Sequence, residues 1–289
     1  MQQWTEAMRA GRYEDAWAME AATLAARNPA TRDDPALPYH LRWVWDGRAV
    51  DGRDVLVRCY HGLGDTIQFA RYLPLLARRA RGVTLEVQPR LMPLLAGIGV
   101  DRIVPFDVAR PLPPADCDIE ITELPRAIGV APDRVSAPYL AWPAADLAPG
   151  TVGICHIAGD WDPERSVPAE LFRTICERHP CIMLAAGETT LPCRNPQGCP
   201  LDMEETAALV SAVDLVITVD TMIAHLAGAM GKPTWLLLKA EPDWRWSPGR
   251  RDSPWYPAMR LYAQPSAGDW RSVLTIVADD LARFRSTRA

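Results

Sequence analysis

Two regimes of apolar spacing alternate along most of this chain. Short continuous apolar runs are followed by longer stretches in which apolar residues recur every three or four positions. Residues 55–59, 83–87 and the runs DRIVPF and CDIEI read as strands, with helices predicted over 65–81 and 90–96. Pro74 falls inside the first helix, removes a backbone donor and clashes one turn back, so a kink or two shorter helices is expected there. The alternation pauses at a proline-rich linker, 138–150, and then restarts. TVGICHI, CIMLAA, DLVITV and TWLLL follow as strands, with PAELFRTICERH, MEETAALVSAV and MIAHLAGAM as the intervening helices. Asp202 with Glu205 three residues on marks a capping-box start for MEETAALVSAV.

Strand and helix in alternation predict parallel sheets covered by helices, which is the α/β class. The pause at the linker predicts two such domains, 51–148 and 149–289, and the length of 289 residues suits two cores better than one. Residues 269–284 place Trp270, Val273, Leu274, Val277, Leu281 and Phe284 on one helical stripe. That stripe needs a partner, and this last helix is expected to cross back to the first domain. Ahead of both domains, TEAMRAG and YEDAWAMEAATLAAR predict a helical hairpin with a glycine stop, and the connector after it completes a segment over 1–50. No 34-residue period recurs, so no further helix pair is expected.

Composition narrows the class of function. Hydrophobic residues make up 48% and charged residues 23%, ordinary for a globular protein, and the net charge is −5 without any basic stripe. Nucleic acid and anionic membranes are therefore set aside as partners. No segment has the ~20 uninterrupted apolar residues of a membrane span, and the N-terminus lacks the apolar core of a signal peptide, so the expected location is cytoplasmic. Seven cysteines without a C-x-x-C pair suggest reduced, buried thiols. Cys193 and Cys199 lie close, but the further ligands of a zinc site are missing from the pattern, and no metal is expected.

In open α/β sheets ligands gather beyond the carboxyl ends of the strands. Two loops stand there. In HGLGDT, residues 61–66, His61, Gly62 and Gly64 precede a helix on which Asp65 is the first charge. A dinucleotide reading uses Gly62, Gly64 and Glu86 as the ribose acid, but Ile67 occupies the third glycine position and Asp65 would meet the pyrophosphate. Asp65 reads either as a helix cap or as a carboxylate facing a substrate hydroxyl. In VDTMIAH, residues 219–225, Asp220 stands at a helix start whose backbone donors at Thr221, Met222 and Ile223 suit a phosphate, and His225 follows one turn on.

GLGDTIQFARYLPLLARR, LEVQP, DLVITVDTMIAHLAGAMGKPTWLLL, PDWRW and SPWYP resemble the glycosyltransferase domain of bacterial tetratricopeptide-repeat proteins. That domain is similar to the heptosyltransferases of glycosyltransferase family 9. The resemblance runs from about Trp45 to the C-terminus. It implies the GT-B architecture of two Rossmann-like domains facing across a cleft, the acceptor held by the first and the donor by the second. It further implies Asp65 as the base that activates an acceptor hydroxyl, Asp220 on donor-sugar hydroxyls, and Thr221, Met222 and His225 facing the diphosphate. Arg165, in a segment similar to the family's RSIP, would neutralise the leaving phosphate. Trp244 and Trp246 flank Arg245 and either stack on the nucleotide base or pack on the domain. His61 replaces a frequent glutamine, and HIAGDWDPE departs from the usual tryptophan-glycine-asparagine pattern.

The function expected on these grounds is inverting, metal-independent transfer from a nucleotide-diphosphate sugar to a glycan, lipid or protein acceptor. No cofactor is expected. The D-x-D triplets at 116–118 and 160–162 are set aside, since such triplets arise by chance in an acidic chain. Two alternatives stand beside this reading: a nucleotide-sugar-binding module without turnover, and an NAD-dependent oxidoreductase.

Overall fold

The computed structural model describes residues 2–26, 34, 36–37, 42, 45–135, 137–196, 198, 202–247 and 249–286. The chain divides into two compact units, Met1–Leu140 and Ala141–Ala289.

The first unit opens on three short helices, α1 (Gln2–Arg9), α2 (Tyr13–Met19) and α3 (Ala21–Ala25). Gly11, at φ 73°, supplies the left-handed turn that ends α1, and the fully buried Ala7 and Ala16 let α1 and α2 pack closely. Most of residues 27–44 lie outside the described residues, so the expected absence of a further helix pair cannot be followed there. Four parallel strands follow: β1 (Asp54–Arg58), β2 (Gly82–Val87), β3 (Arg102–Pro105) and β4 (Cys117–Glu120), in the order β3-β2-β1-β4.

Pro74 acts as anticipated. The predicted helix over 65–81 divides into α4 (Leu63–Phe69), a 3₁₀ turn (Ala70–Tyr72) and α5 (Leu73–Ala77), with Pro74 in the first turn of α5, where its missing N–H costs least. Two more short helices, α6 (Met92–Leu95) and α7 (Leu124–Ile128), follow in this unit.

The second unit carries β5 (Val152–Cys155), α8 (Arg173–Arg178), β6 (Cys181–Met183), α9 (Met203–Ala212), β7 (Leu215–Val219), α10 (Met222–Ala229), β8 (Thr234–Leu238), β9 (Met259–Ala263) and α11 (Trp270–Ser286). Its five strands are parallel, in the order β6-β5-β7-β8-β9. Every residue of β7 and β8 is buried, which is why both read as unbroken apolar runs. Asp202 caps α9, its Oδ1 accepting from the amides of Glu204 and Glu205 at 2.9 and 3.0 Å. The linker is tied to this unit by Ala145 N–H to the carbonyl of Ala208 and by Ser211 Oγ to that of Trp142.

Helix α11 lays its stripe on the second unit. Trp235 meets Phe284 edge-on at 5.7 Å, Tyr262 donates to Asp280 at 2.9 Å, Arg260 pairs with Asp280 at 2.7 Å, and Arg285 reaches the carbonyl of Gly150. The contacts named here lie within the helix's own unit. Cys59, Cys117, Cys155, Cys176 and Cys181 are buried thiols outside any disulfide, and Cys193 is a half-buried one.

Candidate functional site

Each sheet has one point where its strand order reverses, and there the loops leaving two neighbouring strands splay apart to leave a crevice. In the first unit that point lies between β1 and β4. The loop after β1 holds His61, whose Nε2 lies 2.5 Å from Oε1 of Glu120 at the end of β4. Tyr60 donates to the other oxygen of Glu120 at 3.1 Å, and the rings of Tyr60 and His61 lie 4.8 Å apart. Gln88, beyond β2, donates to the carbonyl of His61 at 2.7 Å and accepts from Thr66 at 3.0 Å. These bonds hold the 61–66 loop against three strand ends.

Helix α4 starts at Leu63, two residues earlier than the pattern predicts, so Gly62 is its N-cap, Gly64 lies inside its first turn and Asp65 is its third residue. Asp65 Oδ2 accepts from the amide of Gly62 at 3.2 Å, the return arm of a capping box. A Cβ on Gly62 would stand 3.3 Å from that oxygen, a tight contact that favours glycine.

Beneath the loop lies a cluster that motif reading missed. The fully buried Arg58 pairs with Glu86 at 2.9 Å and Asp118 at 2.8 Å, and donates to the carbonyls of Leu112 and Pro113. The other carboxylate oxygen of Glu86 accepts from the amide of Leu112 at 3.2 Å. Glu86 is therefore committed to a buried ion pair, and the ribose-binding place given it by the dinucleotide reading is corrected. A charged residue inside the apolar run VLVRC was the available signal, because a buried arginine requires such partners.

In the second unit the reversal lies between β5 and β7. Asp220 directly follows β7, and Thr221 rather than Asp220 is the N-cap of α10, with Met222 as its first residue. Thr221 Oγ1 lies 3.8 Å from Cys155 Sγ at the end of β5 and 3.5 Å from Thr218 Oγ1, so its hydroxyl bridges the two central strands. Arg165, on the 3₁₀ turn Pro163–Arg165 after β5, donates through Nη1 to the carbonyl of Asp220 at 2.6 Å and through Nε to the carbonyl of Asp162 at 3.3 Å. Lys239, just past β8, pairs with Asp162 at 3.0 Å and Glu164 at 3.2 Å. Three strand-end loops converge here.

Burial pushes the Asp220 carboxyl up to about 6, and the Asp243 charge adds to the rise; the Trp246 indole, Arg245 and Arg165 oppose it. His225 is buried, its Nδ1 paired with the Tyr256 hydroxyl at 3.0 Å and its ring stacked on Trp246 at 5.8 Å. Trp246 is 0% exposed, so of the two readings left open for it the structure favours packing on the domain. Trp244 lies edge-on to Trp255 at 5.9 Å with the Arg245 guanidinium 4.5 Å from its centroid. Asp118 and Asp162, from the two D-x-D triplets, are held by Arg58 and Lys239, and no metal-binding group of side chains occurs among the described residues.

Two parallel α/β units with polar strand-end loops define the Rossmann-like pair that GT-B glycosyltransferases combine. The chain is similar to glycosyltransferase family 9: residues 188–252 match the family model Glycosyltransferase family 9 (heptosyltransferase), a segment that contains Asp220, Thr221, Met222 and His225. Protein FlbA of Caulobacter vibrioides is 26% identical over 333 aligned positions, which cover 96% of this chain and 54% of FlbA. The chain thus spans about half the length of that curated relative. The structure of E. coli ADP-heptose LPS heptosyltransferase II is 14% identical with a TM-score of 0.53, covering 80% of this chain and 99% of that one. A family 9 glycosyl transferase from Veillonella parvula is 14% identical with a TM-score of 0.55, covering 75% and 87%. These structures share the fold of this chain. No described helix is long and apolar enough to cross a membrane.

Proposed function

We propose that this protein transfers a sugar, with inversion, from a nucleotide-diphosphate sugar held by the second unit to an acceptor hydroxyl held by the first. The observation that carries the reading is the convergence of Arg165, Asp220 and Thr221 where the strand order of the second sheet reverses. The Nε and Nη1 of Arg165 are engaged on carbonyls, while its Nη2 has no hydrogen bond to a described residue and remains to meet a phosphate oxygen. The first amides of α10 point the same positive end toward that phosphate. Asp220, ionised above about pH 6, accepts from donor-sugar hydroxyls, while Thr221, Met222 and His225 border the diphosphate.

In the chemical step Asp65 takes the proton of the acceptor hydroxyl, and the freed oxygen pair attacks the anomeric carbon from the face opposite the phosphate. The bond from that carbon to the phosphate oxygen breaks, and its pair leaves with the nucleoside diphosphate. Arg165 and the helix amides offset the charge that develops, and the step as written involves no metal. His61, Gly62 and Gly64 form the acceptor side of the loop, the acceptor being a glycan, lipid or protein.

A second reading, nucleotide-sugar binding without turnover, is favoured by one observation: Asp65 already serves the Gly62 amide as a cap. Thermal unfolding with a series of nucleotide-diphosphate sugars, followed by transfer and hydrolysis assays on those that bind, tests both. A donor at 100 times its dissociation constant adds about 2.7 kcal/mol of stability. Binding with turnover supports transfer, binding without turnover supports the second reading, and no shift with any donor refutes both.

A further inference from the structure

We infer that Trp161 is the platform on which the base of the bound nucleotide stacks; this rests on the donor site proposed above. Trp161 is 75% exposed, an unusual place for the largest apolar side chain. One face of its indole is covered by the Arg165 guanidinium, whose central carbon lies 4.0 Å from the ring centroid. The same guanidinium donates to the carbonyl of Asp220, so the indole lies one side chain away from the start of α10. A planar base laid on the other face completes a sandwich of arginine, indole and base, with the diphosphate leading toward Thr221.

The loop that carries Trp161 is built to present it. Its base is closed by Val167 N–H to the carbonyl of His156 at 2.9 Å and by Ala158 N–H to Ser166 Oγ at 2.9 Å. Its far side is anchored by Asp162, which takes Lys239 at 3.0 Å, and its tip turns at Gly159, whose carbonyl accepts from the Asp162 amide. A loop held at three points with a tryptophan at its tip keeps the ring in place in water without core contacts to bury it. The tryptophans first considered for the base are occupied, Trp246 by His225 and Trp244 by Trp255 and Arg245. Stacking on an aromatic reads no hydrogen-bond pattern, so Trp161 contributes affinity for a nucleobase as a class while edge contacts elsewhere choose among bases.

Calorimetric titration of ADP, GDP, UDP and inorganic pyrophosphate into the wild type, Trp161→Ala and Trp161→Phe tests this. Stacking predicts that Trp161→Ala weakens the nucleoside diphosphate that binds by roughly 5- to 150-fold, the usual worth of one base on one ring. Trp161→Phe retains most of the affinity, and pyrophosphate, which has no base, binds all three proteins alike. Unchanged nucleotide affinity in Trp161→Ala overturns the inference and leaves the donor site standing. An equal loss for pyrophosphate and nucleotide also overturns it, because the indole then merely steadies Arg165. If no nucleoside diphosphate binds the wild type, the donor site itself falls and the platform with it.

Discussion

The guanidinium of Arg165 donates to the main-chain carbonyl of Asp220 across 2.6 Å, joining the loop after β5 to the first residue beyond β7. The bond spans the point where the strand order of the second sheet reverses, so it fixes both walls of the crevice in which a ligand of this fold would bind. Asp162 adds a second anchor through its carbonyl. Held at two nitrogens, the planar fork is oriented before any phosphate arrives, and little rotamer entropy remains to be lost on binding.

Arg165→Lys keeps the charge and loses the fork. The three donors of an ammonium radiate from one nitrogen and do not reproduce the separate reach of Nε and Nη1 to the carbonyls of Asp162 and Asp220. Donor affinity, measured by calorimetry, should fall about 10- to 100-fold, in keeping with the loss of a hydrogen bond to a charged group. An unchanged affinity would remove Arg165 from the phosphate site.

Asp220→Asn should stabilise the protein at neutral pH while weakening the donor. The carboxyl sits near 6 in the folded chain against an ordinary value of 3.8, so its contribution favours the fold below about pH 4 and is lost as pH rises through 6. Above pH 6 the wild type carries a buried charge that costs up to about 3 kcal/mol, and the amide does not. Urea denaturation should show the variant more stable at pH 7.5 and the difference vanishing at pH 4. Equal stability at both pH values would mean that Asp220 is solvated. The same titration predicts that donor affinity in the wild type weakens as pH falls below about 6.

Arg58→Met should cost about 3–5 kcal/mol, because Glu86 and Asp118 would be left as buried carboxylates without their cation. The same denaturation experiment reads it. A cost below 1 kcal/mol would show that water replaces the guanidinium there.

Gly228→Ala tests the packing behind His225. A Cβ at this position on α10 would stand 2.5 Å from the ring of the fully buried Tyr256, whose hydroxyl pairs with His225. The ring must shift, so a loss of about 1–3 kcal/mol is expected. A variant as stable as the wild type would mean that Tyr256 has room to move.

The strand and helix alternation was legible because parallel strands buried on both faces leave unbroken apolar runs, as LVITV and TWLLL do. The break at Pro74 was legible because proline acts locally. Side-chain traffic between distant segments was not: nothing near Glu86 in sequence announces Arg58 or the amide of Leu112. The tryptophans show the same limit. Trp244, Trp246 and Trp161 are alike as letters, yet the fold buries one, leans one on another indole and leaves the third in water. The start of α4 at Leu63 rather than Asp65 was not legible, because glycine at its N-cap has no side chain to announce the cap, which Asp65 supplies from three residues on.

Whether Asp65 is a base or only a cap decides the account, and Asp65→Asn separates the two. Its amide oxygen can still accept from Gly62, so the cap survives while the basic carboxylate is lost. Turnover of the donor found to bind, measured together with donor affinity and melting temperature, should fall about 10²- to 10⁴-fold, with both other quantities nearly unchanged. A variant that keeps its turnover would contradict the account and leave Asp65 as a cap alone.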